Sequence, residues 1–399
     1  MNTENQKEEK KLKIAYIIPR FLPFKGGAEQ NTYALASRMA KEGHDVTVIT
    51  TNVKFRNEEL PKEETIDGIK IIRNWALNNA LYAGFYPELL PLLIRSDFDV
   101  IHTSGFGFIW REFCLTIKKV LSPKTKFVCT PHGPFMAVGA NAENKSGLRA
   151  VIKDSYTFVL QMLLPWLYNY IVQVTPNQTK WLNEEYHIPE NKIILVPNGV
   201  DRAMLEKELV EHSPEEKLVL SFTGRHEWYK GVQDVLRALG KLVASGENNF
   251  EFVIMGRSGN YTQKLKDIIE ELQLDNYIRF IYSPTDEQRD ELLYSRSQIH
   301  ILPSRWEATG IVLIEAMAKG NVIITTNQNE GADLLIKEGE SGFKYNFGDV
   351  DALATILKVL LDDANLRQRI RQQNLQFAKN FTWEEIFPNY LQKIKELVG

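Results

Sequence analysis

The chain has 399 residues, of which 44% are hydrophobic and 25% charged. That is the composition of a soluble globular protein too long for one ordinary core, so two domains are expected. A net charge of −3 gives no reason to expect nucleic acid as a partner. Cys114 and Cys129, the only cysteines and without C-x-x-C spacing, argue against a disulfide framework or a thiolate zinc site.

Residues 1–13, "MNTENQKEEKKLK", lack the apolar stretch of a signal peptide and read as a solvated tail. Short β-branched runs then alternate with amphipathic stretches. In the first half, "KIAYIIP" (13–19), "DVTVIT" (45–50), "DVIHT" (99–103), "KFVCTP" (126–131), "YIVQVTP" (170–176) and "KIILVPN" (192–198) read as strands. Between them the spacing is helical, as in Tyr33, Leu35, Ala36 and Met39. The charged stretch 201–216 separates this set from a second, "KLVLSFTG" (217–224), "FEFVIMG" (250–256), "YIRFIYS" (277–283), "QIHILPS" (298–304) and "NVIITTN" (321–327). The expected class is α/β: a first doubly wound domain over 14–200, a linker over 201–216, and a second domain over 217–380. A last amphipathic helix, 381–399, could cross back to the first domain. No run of about 20 apolar residues suggests a membrane span, and a reducing cytoplasm fits the chain.

In doubly wound sheets ligands sit beyond the carboxyl ends of the strands, and several chemistry-bearing residues fall there. Gly26 and Gly27 follow the first strand, where absent side chains allow close approach to a helix N-terminus, or simply make a tight turn. Glu29 belongs to this site or only favours the helix start. His102 and His132 each follow a strand, and Gly133 after His132 favours the latter for a role in a cleft. Arg225 and Lys230 stand between a strand and a helix beginning near Val232. Cations oppose the dipole of a helix start, so an unliganded fold gains nothing from them, whereas a bound anion reverses the sign. The bland alternative is two exposed loop cations. From Ile311 to Ala318 every residue is apolar except Glu315, a carboxylate that needs a partner or a ligand. Eight positions earlier stands Glu307, just ahead of the helix that begins at Gly310.

Together, "GGAEQ" (26–30), "TPHG" (130–133), "VPNGVD" (196–201), "TGR" with "KG" (223–225, 230–231), and the stretch from Glu307 to Gly320 resemble the retaining glycosyltransferases of family four, which have the GT-B architecture. "EGESGFKYNFGDVDALA" (338–354) also resembles the family's C-terminal pattern. The resemblance implies two Rossmann-like domains facing across a cleft and a nucleotide-sugar donor. It implies that Glu315 holds the ribose hydroxyls, and that Glu307, with amides near Gly310 and Ile311, contacts the transferred sugar. Arg225 and Lys230, beside Gly224, would neutralise the diphosphate; Gly26 and Gly27 would approach it from the other domain, and His132 would lie beside the reacting centre. The chain departs from the family in having Ala308-Thr309-Gly310 after the first glutamate, Asp333 where a later glutamate is expected, and Ser104 where a second histidine often stands.

The activity so implied is transfer of a hexosyl group from a UDP- or GDP-sugar to an acceptor hydroxyl on a glycan, a lipid-linked or a small-molecule acceptor. It would proceed with retention of configuration, by a front-face reaction and without a metal. A nucleotide-sugar epimerase or a phosphorylase on the same architecture, and a non-catalytic sugar- or nucleotide-binding protein, are the rival readings. One segment stands apart. Lys145, Arg149 and Lys153 recur every four residues beside the apolar run up to "YIVQV", a pattern suited to a peripheral membrane contact or to an ordinary buried helix.

Overall fold

The computed structural model describes residues 10–54, 58–77, 84–133, 148–206, 217–291 and 296–399. Residues 1–9 of the expected tail, 207–216 of the expected linker and Lys145 lie outside the described residues, as do the side chains of Arg149 and Lys153. The chain divides into two compact units. The first comprises Met1–Gln173, Gln178–Val196 and Phe387–Gly399; the second comprises Val174–Asn177 and Pro197–Ile386. The second unit therefore begins at Pro197, ahead of the stretch read as a linker, and takes in a short piece after the strand at 170–173.

The strands of the first unit are β1 (Lys13–Ile17), β2 (Asp45–Thr51), β3 (Glu63–Ile66), β4 (Ile69–Asn74), β5 (Val100–Ser104), β6 (Lys126–Thr130), β7 (Tyr170–Gln173) and β8 (Ile193–Leu195). They form one sheet in the order β3-β4-β2-β1-β5-β6-β7-β8, parallel except for β3 against β4. The β3–β4 hairpin is absent from the sequence reading. Its turn is Asp67-Gly68 with φ of 51° and 76°, the left-handed pair that a two-residue hairpin turn needs. The central strands are buried on both faces, which is why they read as continuous apolar runs.

The second unit holds β9 (Leu218–Thr223), β10 (Phe250–Gly256), β11 (Ile278–Tyr282), β12 (Ile299–Leu302), β13 (Val322–Thr326) and β14 (Gly342–Tyr345). The sheet is wholly parallel, in the order β11-β10-β9-β12-β13-β14. The order reverses between β9 and β12, as it does between β1 and β5 in the first unit. Chains leaving neighbouring strands there diverge to opposite faces and open a crevice at the carboxyl ends.

The final helix, Trp383–Val398, begins in the second unit and ends in the first. Tyr390 anchors it: its hydroxyl, fully buried, lies 3.0 Å from the Tyr16 hydroxyl on β1 and 2.8 Å from His102 Nδ1 on β5.

Candidate active site

At the β9/β12 crevice, Gly231 is left-handed (φ 73°) and N-caps the helix Val232–Ala244. A side chain at Gly231 would collide with the Pro303 carbonyl, so the turn after β9 lies directly against the chain leaving β12. The Arg305 amide donates to the Tyr229 carbonyl at 2.7 Å and locks this approach. The result brings together two residues 77 positions apart: the Lys230 ammonium is paired with Glu307 Oε1, which also accepts from Ser304 Oγ at 3.2 Å. The side chains of Lys230 and Glu307 are 14% and 19% exposed. The loop carrying Glu307 is tied on its other side, where the Glu330 amide donates to the Glu307 carbonyl at 2.9 Å.

One expectation is overturned here. Lys230 is not a cation left to oppose a helix dipole, because Glu307 compensates its charge in the unliganded protein. Arg225, exposed, donates from Nη2 to the Tyr229 hydroxyl at 2.8 Å. Gly224 lies at the end of β9, and a side chain on the neighbouring Gly256 would strike its carbonyl oxygen.

Gly310 (φ 70°) caps the helix Ile311–Met317, so Ile311 is its first residue. Glu315 is buried on this helix, 3.6 Å from an Arg289 guanidinium nitrogen. That cation sits on another element, the short helix Asp286–Asp290, and nothing in the sequence marks the pairing. Asp333, at the departure from the family's glutamate, accepts from Lys344 at 2.6 Å and from Asn177 Nδ2 at 3.1 Å, and these bonds hold its carboxyl below the usual range.

In the first unit a cleft of about 510 Å³ opens at the carboxyl ends of β1, β2, β5 and β6. Arg20, Glu29, Thr51, Ser104 and His132 contribute its polar side chains; Ile18, Val53, Tyr86 and Phe108 are among its apolar walls. Gly26 N-caps the helix Gly27–Lys41, and the Glu29 carboxylate occupies the space that a side chain at Gly26 would fill. His132 is left-handed (φ 58°), a conformation uncommon outside glycine, and Gly133 follows it. His132 Nε2 lies 2.9 Å from Ser104 Oγ, and burial pushes the imidazole down to about 4, so it is neutral at pH 7. His102 lies behind the cleft wall, buried between Tyr390 and Thr130 Oγ1 (2.8 Å), and burial and His132 push it to about 3.

The turn between Ser104 and Phe108 is held by a buried ion pair absent from the sequence reading. Arg111 donates to Glu112, to the Ser104 carbonyl at 3.0 Å and to the Gly105 carbonyl at 2.5 Å, while Glu112 Oε1 accepts from the Gly107 amide at 2.8 Å. No side-chain nitrogen or oxygen of the two residues is left without a partner, which is the condition for tolerating buried charge. Of the expected site residues, Gly26, Gly27 and His132 belong to the first unit, and Gly224, Arg225, Lys230, Glu307, Gly310, Ile311 and Glu315 to the second.

Comparison with known proteins agrees with this architecture. Residues 25–203 match the family described as Glycosyltransferase Family 4, and residues 206–377 match Glycosyl transferases group 1. The GDP-mannose:cellobiosyl-diphosphopolyprenol alpha-mannosyltransferase of Xanthomonas oryzae is 23% identical, over 97% of this chain and 98% of that protein. Among solved structures, sucrose-phosphate synthase from Thermosynechococcus elongatus superimposes with a TM-score of 0.76 at 17% identity, covering 97% of this chain and 99% of that one. Anabaena HepE in complex with UDP-glucose does so at 0.73 and 16%, covering 96% and 100%. The chain is a GT-B glycosyltransferase of family four.

Proposed function

We propose that the chain is a retaining hexosyltransferase that moves a hexosyl group from a UDP- or GDP-sugar to a hydroxyl of a glycan, lipid-linked or small-molecule acceptor, without a metal. The observation that carries this reading is the largely buried Lys230–Glu307 pair at the strand-order reversal of the second sheet. A cation and a carboxylate side by side match a sugar diphosphate: the first meets phosphate oxygens, the second accepts from sugar hydroxyls. Arg225 adds a second cation after the same strand, and Glu315 offers an acceptor for the ribose hydroxyls. Similarity to a GDP-mannose-dependent mannosyltransferase and to a structure that holds UDP-glucose supports both donor classes.

In this reading the bond between the anomeric carbon and the diphosphate oxygen breaks as the acceptor oxygen bonds to the same face. The acceptor proton passes to the leaving phosphate. Charge grows on the diphosphate, and Lys230 and Arg225, already in place, lower that barrier. Neutral His132, held by Ser104, supplies a polar group in the first unit's cleft, which we assign to the acceptor. Cys114 and Cys129 are both buried free thiols, in keeping with a reducing cytoplasm.

The test is a donor screen by thermal shift, followed by turnover with lipid and oligosaccharide acceptors. Free nucleoside diphosphate should be released only when an acceptor is present, and the product should keep the donor's anomeric configuration by NMR. Donor conversion without release would point to an epimerase, a requirement for inorganic phosphate to a phosphorylase, and binding without turnover to a carrier.

A further inference from the structure

Two helices of the first unit, Ile109–Leu121 and Leu148–Leu167, are apolar on faces that the sheet does not cover. On the first, Ile109, Phe113 and Val120 recur at helical spacing and are 51%, 50% and 64% exposed, with Leu121 beside them. On the second, Phe158, Val159, Met162 and Trp166 follow the same spacing, with Met162 70% and Phe158 62% exposed. A shallow groove of about 310 Å³ runs along this helix and is lined by these four residues and Leu163. Each helix thus leaves a row of large apolar side chains to water, and such rows mark interaction surfaces.

The charges around the patch select the occupant. Lys119, Lys126 and Lys192 gather where the two helices end, and among the described residues none of them is in an ion pair. Lys119 lies 5.1 Å from the Trp166 ring and donates to the Leu167 carbonyl; Lys192 donates to the carbonyls of Pro165 and Tyr168. These bonds cap the helix but leave the positive charge uncompensated. Burial, Lys192 and Lys126 push the Lys119 ammonium down to about 8, as expected for cations crowded without an anion. A second copy seated on this face would bring three more lysines to the seam. Anionic headgroups would neutralise them, with Trp166 at the level where aromatic rings favour a bilayer interface.

We propose that this face docks peripherally on an anionic lipid bilayer, with Phe158, Met162 and Trp166 dipping into the headgroup–acyl boundary and the lysines meeting the headgroups. The protein lies on the surface: among the described residues no helix is long and apolar enough to cross a membrane. The proposal rests on different residues from the donor site and is tested separately from it.

The experiment is flotation of the full chain with phosphatidylcholine vesicles, with and without phosphatidylglycerol, at low and high salt. Binding should need phosphatidylglycerol and weaken with salt. Phe158→Ser combined with Met162→Ser should weaken binding about tenfold or more, while the thermal transition and nucleoside-diphosphate binding stay unchanged. Lys126→Glu, which removes a lysine with no role in capping the helix, should weaken binding without touching the apolar face. No flotation with anionic vesicles at low salt would overturn the proposal. So would a dimer in sedimentation equilibrium that the two serine substitutions dissolve, because the face would then be a self-interface.

Discussion

Replacing Lys230 by alanine separates its structural and catalytic roles. In the unliganded protein the substitution strands the Glu307 carboxylate with Ser304 Oγ as its side-chain donor, at a position 19% exposed. Breaking a fully buried pair costs about 3–5 kcal/mol and an exposed one about 0–1, so a pair in this partly buried state should cost about 1–3 kcal/mol. For a unit of this size, where each kcal/mol shifts the transition by about 2–4 °C, that lowers the thermal transition by roughly 2–12 °C. The donor loses a charge-assisted contact to its diphosphate, and nucleoside-diphosphate affinity should fall about 10-fold or somewhat more. Competition from Glu307 in the free protein keeps that loss near the lower end of the range. Turnover at saturating donor should fall about 10²–10³-fold, because the contact strengthens as the leaving group gains charge. The double variant Lys230→Ala with Glu307→Gln should regain most of the lost stability, since no stranded carboxylate remains, and none of the lost turnover. Calorimetry with nucleoside and nucleoside diphosphate, thermal unfolding and saturating-donor rates make the comparison. A Lys230→Ala protein with unchanged transition temperature and wild-type rate would refute both halves of the reasoning.

Glu315→Gln should weaken nucleoside-diphosphate binding by about 1.5–3 kcal/mol in calorimetry; unchanged affinity would make Glu315 only the structural partner of Arg289. Turnover should survive EDTA, and complete loss restored by magnesium or manganese would sink the metal-free reading. Stability should fall as pH drops from about 6.5 toward 4. In that window the unfolded chain's histidines take up protons that folded His132, pushed to about 4, and His102 and His300, pushed to about 3 by burial, refuse. Each contributes up to about 1.4 kcal/mol per pH unit. A transition temperature flat from pH 7 to about 4.5 would contradict this.

The sheet strands were legible because burial on both faces demands β-branched apolar runs, and turn residues bound them. The exceptions follow from the same physics. β3 is a short edge strand of Glu63, Glu64, Thr65 and Ile66 with no apolar run, although Asp67-Gly68 carried its hairpin signal. β14 is four residues long and half-buried in its middle, too short to show a period. Glycines and acids at strand ends marked where the site would be, yet not which groups would touch. The meeting of Lys230 and Glu307 depends on how closely the chain at Gly231 passes Pro303, a tertiary fact without local sequence pattern. Arg289 beside Glu315 was hidden for the same reason. The Arg111–Glu112 pair was visible as two adjacent charges, but such a pair normally reads as a solvated helix face.

Tyr390 imposes an order on biosynthesis. The first unit is built mostly from the start of the chain, but its residues 387–399 are translated only after the whole second unit. Until they arrive, the space beside Tyr16 and His102 lacks the hydroxyl that both nitrogen and phenol contact in the finished protein. The usual sequence, in which the amino-terminal domain completes itself while the rest is still being made, therefore cannot run to its end here. The first unit has all its strands by Leu195 but lacks the helical segment that carries Tyr390, while the second lies entirely within 174–386. A released chain truncated after Ile386 should accordingly expose the first unit, rather than the second, to limited proteolysis, and equal protection of both would show that the first unit holds without its last helix.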